Sequence, residues 1–152
     1  MTVLYRLVKA ARRAHAFSGE GARLKGGRWN PPGYAVVYAA QSRALAVLEA
    51  LVHLPLEARR MRYLIYEVTL PGKALVTCFK AATSSGWRHL SVTAASQEAG
   101  RNWIEDGKAL AFAVPSVLVP QEMNYVLSVR HPQFADLRIS PPEPFAFDER
   151  LW

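Results

Sequence analysis

The sequence predicts a compact α+β fold in which short strands, paired in mixed or antiparallel fashion, accompany two prominent helices. Three observations carry that expectation. Short β-branched and aromatic runs recur along the chain with prolines and loop residues between them. Two longer stretches show helical character instead. The strand-like runs often follow one another directly, which disfavours a doubly wound parallel sheet with its regular alternation of strand and helix. The 152 residues correspond to one domain, 1–152, long enough to bury a core without covalent staples.

Taken in order, the elements read as follows. Residues 2–8, TVLYRLV, form a first strand, and residues 35–40, AVVYAA, a short buried one bounded by Gly33 and Gln41. SRALAVLEALVHL is the clearest helix, with Ser42 as its N-cap and Pro55 as its stop. MRYLIYEVTL reads as a strand ending at Pro71-Gly72, and ALVTC as another. SVTAASQEAGRNWIEDG reads as the second helix, closed by Gly107. Short strands LAFAV, SVLV, YVLSV, LRIS and FAF follow.

The composition narrows the function classes. Half of the residues are apolar and a fifth are charged, an ordinary globular balance. No run of 18 apolar residues is present, so no membrane span is expected. The N-terminal stretch mixes charge into its apolar residues too early for a secretory signal. Cys78 is the single cysteine, which excludes an internal disulfide and suits the cytoplasm. Lysines and arginines number 19 against 12 acids, a net charge of +7. The basic residues are scattered and do not interleave with aromatics as in a nucleic-acid module, so no direct nucleic-acid contact is expected. Such a charge serves equally for an anionic small molecule or an acidic protein partner.

Two segments call for a chemical explanation. The first is KGGRWNPPG, Lys25 to Gly33. Gly26 and Gly27 permit positive φ and close approach of another group. Arg28 offers a planar fork suited to carboxylate or phosphate, Trp29 a flat apolar surface, and Asn30 both a donor and an acceptor. The turn then feeds the strand containing Tyr38. The loop is either a structured turn whose Arg28 pairs with an acid, or a rigid anion cradle beside an aromatic platform. The second is Glu49. At 100° per residue Leu45, Leu48, Leu51 and Val52 share one side of their helix, and Glu49 lies on its edge. A carboxylate there is partly desolvated. It either pairs with His53, four residues on, or is aimed into a cleft.

Competing motifs fall away. Gly19 and Gly21 lack the third glycine and the strand–helix setting of a dinucleotide fingerprint. His15, His53, His89 and His131 are scattered, so no metal site is expected. Ser84, Ser85 and Cys78 lack a nucleophile context.

The segments YRLV, FSGEGARLKGGRWNPPGYAVVYAAQSRALAVLEALVHL, VPSVLVP, NYVLSVRHPQF and FAFDERLW occur in the order found in RES-domain proteins. The chain resembles that family over nearly its whole length. The resemblance implies the toxin of a bacterial toxin–antitoxin system, with a fold like that of ADP-ribosyltransferase toxins. Such a protein consumes NAD+ as a substrate, by hydrolysis or phosphorolysis, with no further cofactor. One branch of the family is associated instead with ADP-ribosylating a protein, and a non-catalytic basic binding module is the reading from another class. Carried over by position, the resemblance implies Arg28, Glu49 and Ser116 as catalytic residues. Arg6, Tyr38 and Asn30 would contact NAD+. Ser128 is a second candidate for the family serine, because many relatives that the segment resembles have asparagine-proline near Ser128-Val129. In this scheme Arg28 and Arg6 grip the pyrophosphate or an incoming phosphate, Tyr38 stacks near the nicotinamide, and Ser116 donates a hydrogen bond that orients substrate. Trp29 is expected to pack, His53 to be structural and Glu67 to pair at the surface. The implied partner is an antitoxin with a helix-turn-helix DNA-binding domain, whose acidic tail or C-terminal carboxylate would reach the arginines. Homo-oligomers are compatible with this scheme.

Overall fold

The computed structural model describes residues 1–80, 86–88 and 94–152. Strand β1 (Val3–Lys9) leads through a 3₁₀ segment (Ala10–His15) into helix α1 (Glu20–Lys25). Strand β2 (Val36–Ala40), helix α2 (Arg43–Leu51), the single turn α3 (Leu56–Arg59) and strands β3 (Tyr63–Thr69) and β4 (Val76–Cys78) follow. Helix α4 (Ala94–Asp106) and strands β5 (Ala111–Pro115), β6 (Met123–Ser128), β7 (Arg138–Ile139) and β8 (Glu143–Phe145) complete the order. The strands join in the sequence β4-β5-β6-β2-β1-β3-β7, with β8 also on β3. The β4–β5 pair is parallel and the other described pairs are antiparallel, the mixed sheet that the sequence predicts.

Side-chain alternation along the strands builds a core on each side of the sheet. Leu4, Val8, Val37, Ala39, Ala111 and Leu127 pack on one side. Val36, Phe112, Val114 and Val126 face the other, beneath Trp29 and Trp103. Helix α4 contributes Trp103, which stacks on Phe112 with centroids 5.4 Å apart. Its indole N–H donates to the Ala109 carbonyl at 3.1 Å, so the ring is buried without an orphaned donor. Burial of a side chain of this class contributes about 1.5–3 kcal/mol. Gly107, at φ 67°, ends α4 by donating its N–H to the Trp103 carbonyl.

The sheet is unevenly stitched. β1 pairs with β3 over seven positions, from Val3↔Thr69 to Lys9↔Tyr63, but meets β2 at one, Tyr5↔Ala40. Helix α2 lies across that seam. Ser42 caps it by accepting from the Leu45 N–H at 3.1 Å, and Leu45 and Ala46 pack on Ala40, Tyr5 and Val119. The Arg43 guanidinium sits 4.5 Å from the centre of the Tyr5 ring.

Several expected features differ. Leu48 and Val52 do not belong to the buried side of α2; they are 40% and 55% exposed, because the helix meets the sheet through Leu45 and Ala46. Residues 116–119, expected as a strand, form a turn. The Ser116 hydroxyl accepts from the N–H groups of Leu118 and Val119, and these local bonds replace a ladder. Of the expected strand FAF, only Phe145 is in β8; Phe147 packs its ring edge-on to Tyr63. Ser84, Ser85, His89 and the first three residues of the second predicted helix lie outside the described residues.

Candidate functional site

The segment from Lys25 to Gly33 is a self-supporting loop. Gly26 closes α1 at φ 73°, a conformation in which a Cβ is strained. The Gly27 N–H donates to the Asn30 carbonyl at 2.9 Å. Gly27 also needs its missing side chain, since a Cβ there would lie 2.7 Å from the Tyr38 hydroxyl and 2.8 Å from Asn30 Oδ1. That hydroxyl donates to Asn30 Oδ1 at 2.6 Å and accepts from the Trp29 N–H at 3.2 Å. Burial pushes the Tyr38 phenol well above its ordinary value, so it remains a donor at neutral pH.

Asn30 is fully buried. Its Nδ2 donates to the carbonyls of Ala22 at 2.9 Å and Pro31 at 3.1 Å. The sequence expectation places Asn30 in contact with NAD+; in the structure its donor and acceptor knit the loop together. Helix α4 clamps the same loop from outside. Gln97 Nε2 donates to the carbonyls of Gly27 at 3.1 Å and Asn30 at 3.3 Å. Trp29 packs among Phe79, Phe112 and Trp103, as expected of it. Arg28 is half-buried and donates through Nη1 to the Trp87 carbonyl at 2.9 Å.

Glu49 projects from α2 onto the sheet, not towards His53, which is exposed. Its Oε1 accepts from Ser116 Oγ at 2.6 Å and from Asn124 Nδ2 at 2.7 Å. Ser116 is fully buried just beyond β5, where its hydroxyl meets the carboxylate. Ser128 lies at the far end of β6, opposite Val36, four residues from Asn124. That spacing is about 13 Å along a strand. Ser116 is thus the serine beside Glu49.

Asn124 was not anticipated. It is paired with Ala40 on β2 and Val114 on β5. Asn124 directly precedes the expected YVLSV strand and opens the family-like segment NYVLSVRHPQF, but period-two alternation alone does not reveal a neighbour contributed by α2.

The loop and the carboxylate share one side of the sheet. Tyr38 lies opposite Val126, and Ala40 opposite Asn124. Residues two apart on a strand project from the same face, so Tyr38, which anchors the Arg28 loop, and Asn124, which meets Glu49, project from one face of neighbouring strands. Arg6 differs. It alternates with Tyr5 and lies on the side of Leu4 and Val8, above the Phe17 ring. Its guanidinium reaches the seam, where Nε donates to the Ala16 carbonyl and Nη1 to the Tyr38 carbonyl, both at 2.8 Å. Burial lowers its pKa to about 10, which leaves it charged at neutral pH. Among the described residues it has no carboxylate partner. Glu67 pairs with Arg43 at 3.6 Å, as a surface residue would.

An open concavity of about 810 Å³ lies beside the 3₁₀ segment, lined by Ala11, Arg13, Phe17, Tyr66 and Pro142 among others. None of the residues singled out in the sequence lines it. The polar side chains converging on Glu49, Ser116 and Asn124, lie apart from its lining. No group of three or more potential metal ligands occurs among the described residues.

A family model described as RES domain matches residues 3–148. The chain is 35% identical over 150 residues to a protein named Toxin Res from Yersinia enterocolitica, covering 98% of this chain and 99% of the relative. It is 33% identical over 155 residues to the Prs ADP-ribosylating toxin of a Sphingobium species, covering 99% and 96%. Among solved structures it is similar to a chain of the MbcT–MbcA toxin–antitoxin complex of M. tuberculosis, with a TM-score of 0.70 over 95% of this chain and 84% of that one. At 19% identity that likeness concerns the fold.

Proposed function

The chain belongs to the RES-domain family, and from that membership and the setting of Glu49 we propose that it is the toxin of a bacterial toxin–antitoxin pair and acts in the cytoplasm by consuming NAD+. The bond broken is the one between nicotinamide and ribose. Its electron pair leaves with the nicotinamide nitrogen, and positive charge develops on the ribose as in glycoside cleavage. An oxygen of water or inorganic phosphate then bonds to the anomeric carbon. Water loses a proton to solvent in that step.

One observation carries the reading. Glu49 is a half-buried carboxylate held by two neutral donors, with no cation at ion-pair distance among the described residues. A fixed negative charge with no positive neighbour suits a site where positive charge appears only during reaction. Arg28, on the loop beside Tyr38, would receive the pyrophosphate. Arg6 adds a second positive charge behind the Tyr38 backbone. The Tyr38 hydroxyl is engaged, so its ring is the part left for the nicotinamide. An antitoxin with an acidic tail and a DNA-binding domain suits the net charge of +7.

A second reading, transfer of ADP-ribose to a protein, is favoured by the name of the Sphingobium relative. It uses the same bond cleavage with another acceptor. The test is incubation of purified, antitoxin-free protein with NAD+, with and without phosphate, and with labelled NAD+ in lysate. Consumption of NAD+ in the purified reaction supports the first reading, and labelled protein the second. Glu49→Gln keeps the acceptor for Ser116 and Asn124 but removes the charge. It is expected to lower kcat by about 10²–10³, equivalent to about 2.7–4 kcal/mol. Intact NAD+ in every reaction with folded wild type overturns the proposal.

A further inference from the structure

We infer that Asn124 is a positioning residue that, together with Ser116, binds a single oxygen of Glu49 and reserves the other, Oε2, for the substrate. The inference rests on the reading of Glu49 as the working carboxylate. The Ser116 hydroxyl has two lone pairs and one proton. The N–H groups of Leu118 at 3.1 Å and Val119 at 3.0 Å occupy the lone pairs. The proton is therefore directed at Glu49 Oε1, 2.6 Å away. Asn124 is oriented by equally simple chemistry. An ionised carboxylate only accepts, so the amide must present its NH2 side, and Nδ2 lies 2.7 Å from the same Oε1. Among the described residues no donor reaches Oε2. Neither donor carries charge, so Glu49 is oriented without being neutralised.

The framework behind the two donors is rigid. Asn124 is the second residue of β6, which is paired on both sides, with β2 and with β5. Ser116 follows directly on β5 and is fixed by its own turn. The carboxylate itself arrives from a different element, α2, on a side chain with three rotatable bonds. Two donors converging on one oxygen fix the direction of a group that α2 alone would leave free. A displacement of 1 Å in such a group costs up to about 100-fold in rate.

The test compares wild type with Asn124→Ala and Asn124→Asp in NAD+ consumption and in growth arrest on expression in a bacterial host. Asn124→Ala is expected to lower kcat about 10- to 100-fold while KM changes by less than about threefold, the pattern of a group that acts on the transition state. Asn124→Asp preserves shape but sets a second carboxylate against Glu49. It should fall below Asn124→Ala at pH 8 and recover relative to it as the pH drops towards 5, when a proton shared by the two acids restores a donor. That crossing would not arise from a purely structural role. Should Asn124→Ala be poorly folded, the near-isosteric Asp variant carries the comparison. Wild-type kcat in Asn124→Ala, or matching pH profiles for the two variants, overturns the assignment while leaving NAD+ consumption intact. If wild type arrests growth without consuming NAD+, the proposed reaction fails instead. Growth arrest then judges Asn124 alone: weakened arrest supports the assignment and unchanged arrest refutes it.

Discussion

Substituting Gly100 by alanine adds one methyl group where α4 crosses the Arg28 loop. The new Cβ would lie 1.5 Å from the Trp29 carbonyl oxygen and 2.6 Å from its carbon, against a limit of 3.0 Å that real contacts respect. Both obstacles are backbone atoms, so no side chain can rotate away, and helix and loop must part by about 1.5 Å to reach even that limit. The Gln97 bonds to Gly27 and Asn30, now 3.1 and 3.3 Å, would not survive that separation. Overpacking costs about 1–3 kcal/mol, and the two lost hydrogen bonds add about 1–3 kcal/mol between them. The resulting loss, about 2–6 kcal/mol, lowers Tm by about 4–24 °C for a domain of this size. Gly21→Ala serves as the control, because nothing lies within 4 Å of its Cβ position and it sits in α1. There the substitution should stabilise by about 0.4–1 kcal/mol. Thermal unfolding of both variants followed by circular dichroism is the assay. A Gly100→Ala variant melting at or above wild type would refute the account of how α4 holds the loop.

Two further outcomes are expected. Tyr38→Phe removes the hydroxyl shared by Asn30 and Trp29, with a cost of about 1–3 kcal/mol in urea unfolding. Because burial raises the Tyr38 pKa above its ordinary value of 10.0, the folded state holds the proton more tightly than the unfolded chain. That contribution is complete below pH 10 and declines as the pH rises beyond it, so the stability gap between wild type and Tyr38→Phe should narrow in alkali. Ser42→Ala deletes the cap of α2 and should cost about 1 kcal/mol, measured by the same urea titration.

What was legible in the sequence was local. Ser42 announces its helix because a cap interacts three residues away, and Gly26-Gly27 mark a loop because backbone geometry is decided within it. The mixed sheet was likewise readable from the succession of short strands. The parts that were not readable depend on distant segments. Helical periodicity groups Leu45, Leu48 and Val52 on one side but does not say how much of that side the sheet covers. Nothing near Asn30 in the chain shows that Tyr38 and the end of α1 will enclose it. Glu49 has a plausible partner four residues on, and its actual partners come 67 and 75 residues later. Arg6 was singled out only through the family resemblance, and strand alternation sends it to the side opposite Tyr38. There the gap between β1 and β2 lets it bond the Tyr38 carbonyl.

The lone rung between Tyr5 and Ala40 makes the sheet two plates joined at a single rivet. The joint is closed by the side chains that brace it: Arg6 beneath, Leu45 and Ala46 above. Glu49 is mounted on the upper brace, while Asn124 and Ser116 belong to one plate. The acid and its two donors thus reach one another from separately anchored parts of the molecule, and their meeting depends on those braces as well as on the ladder.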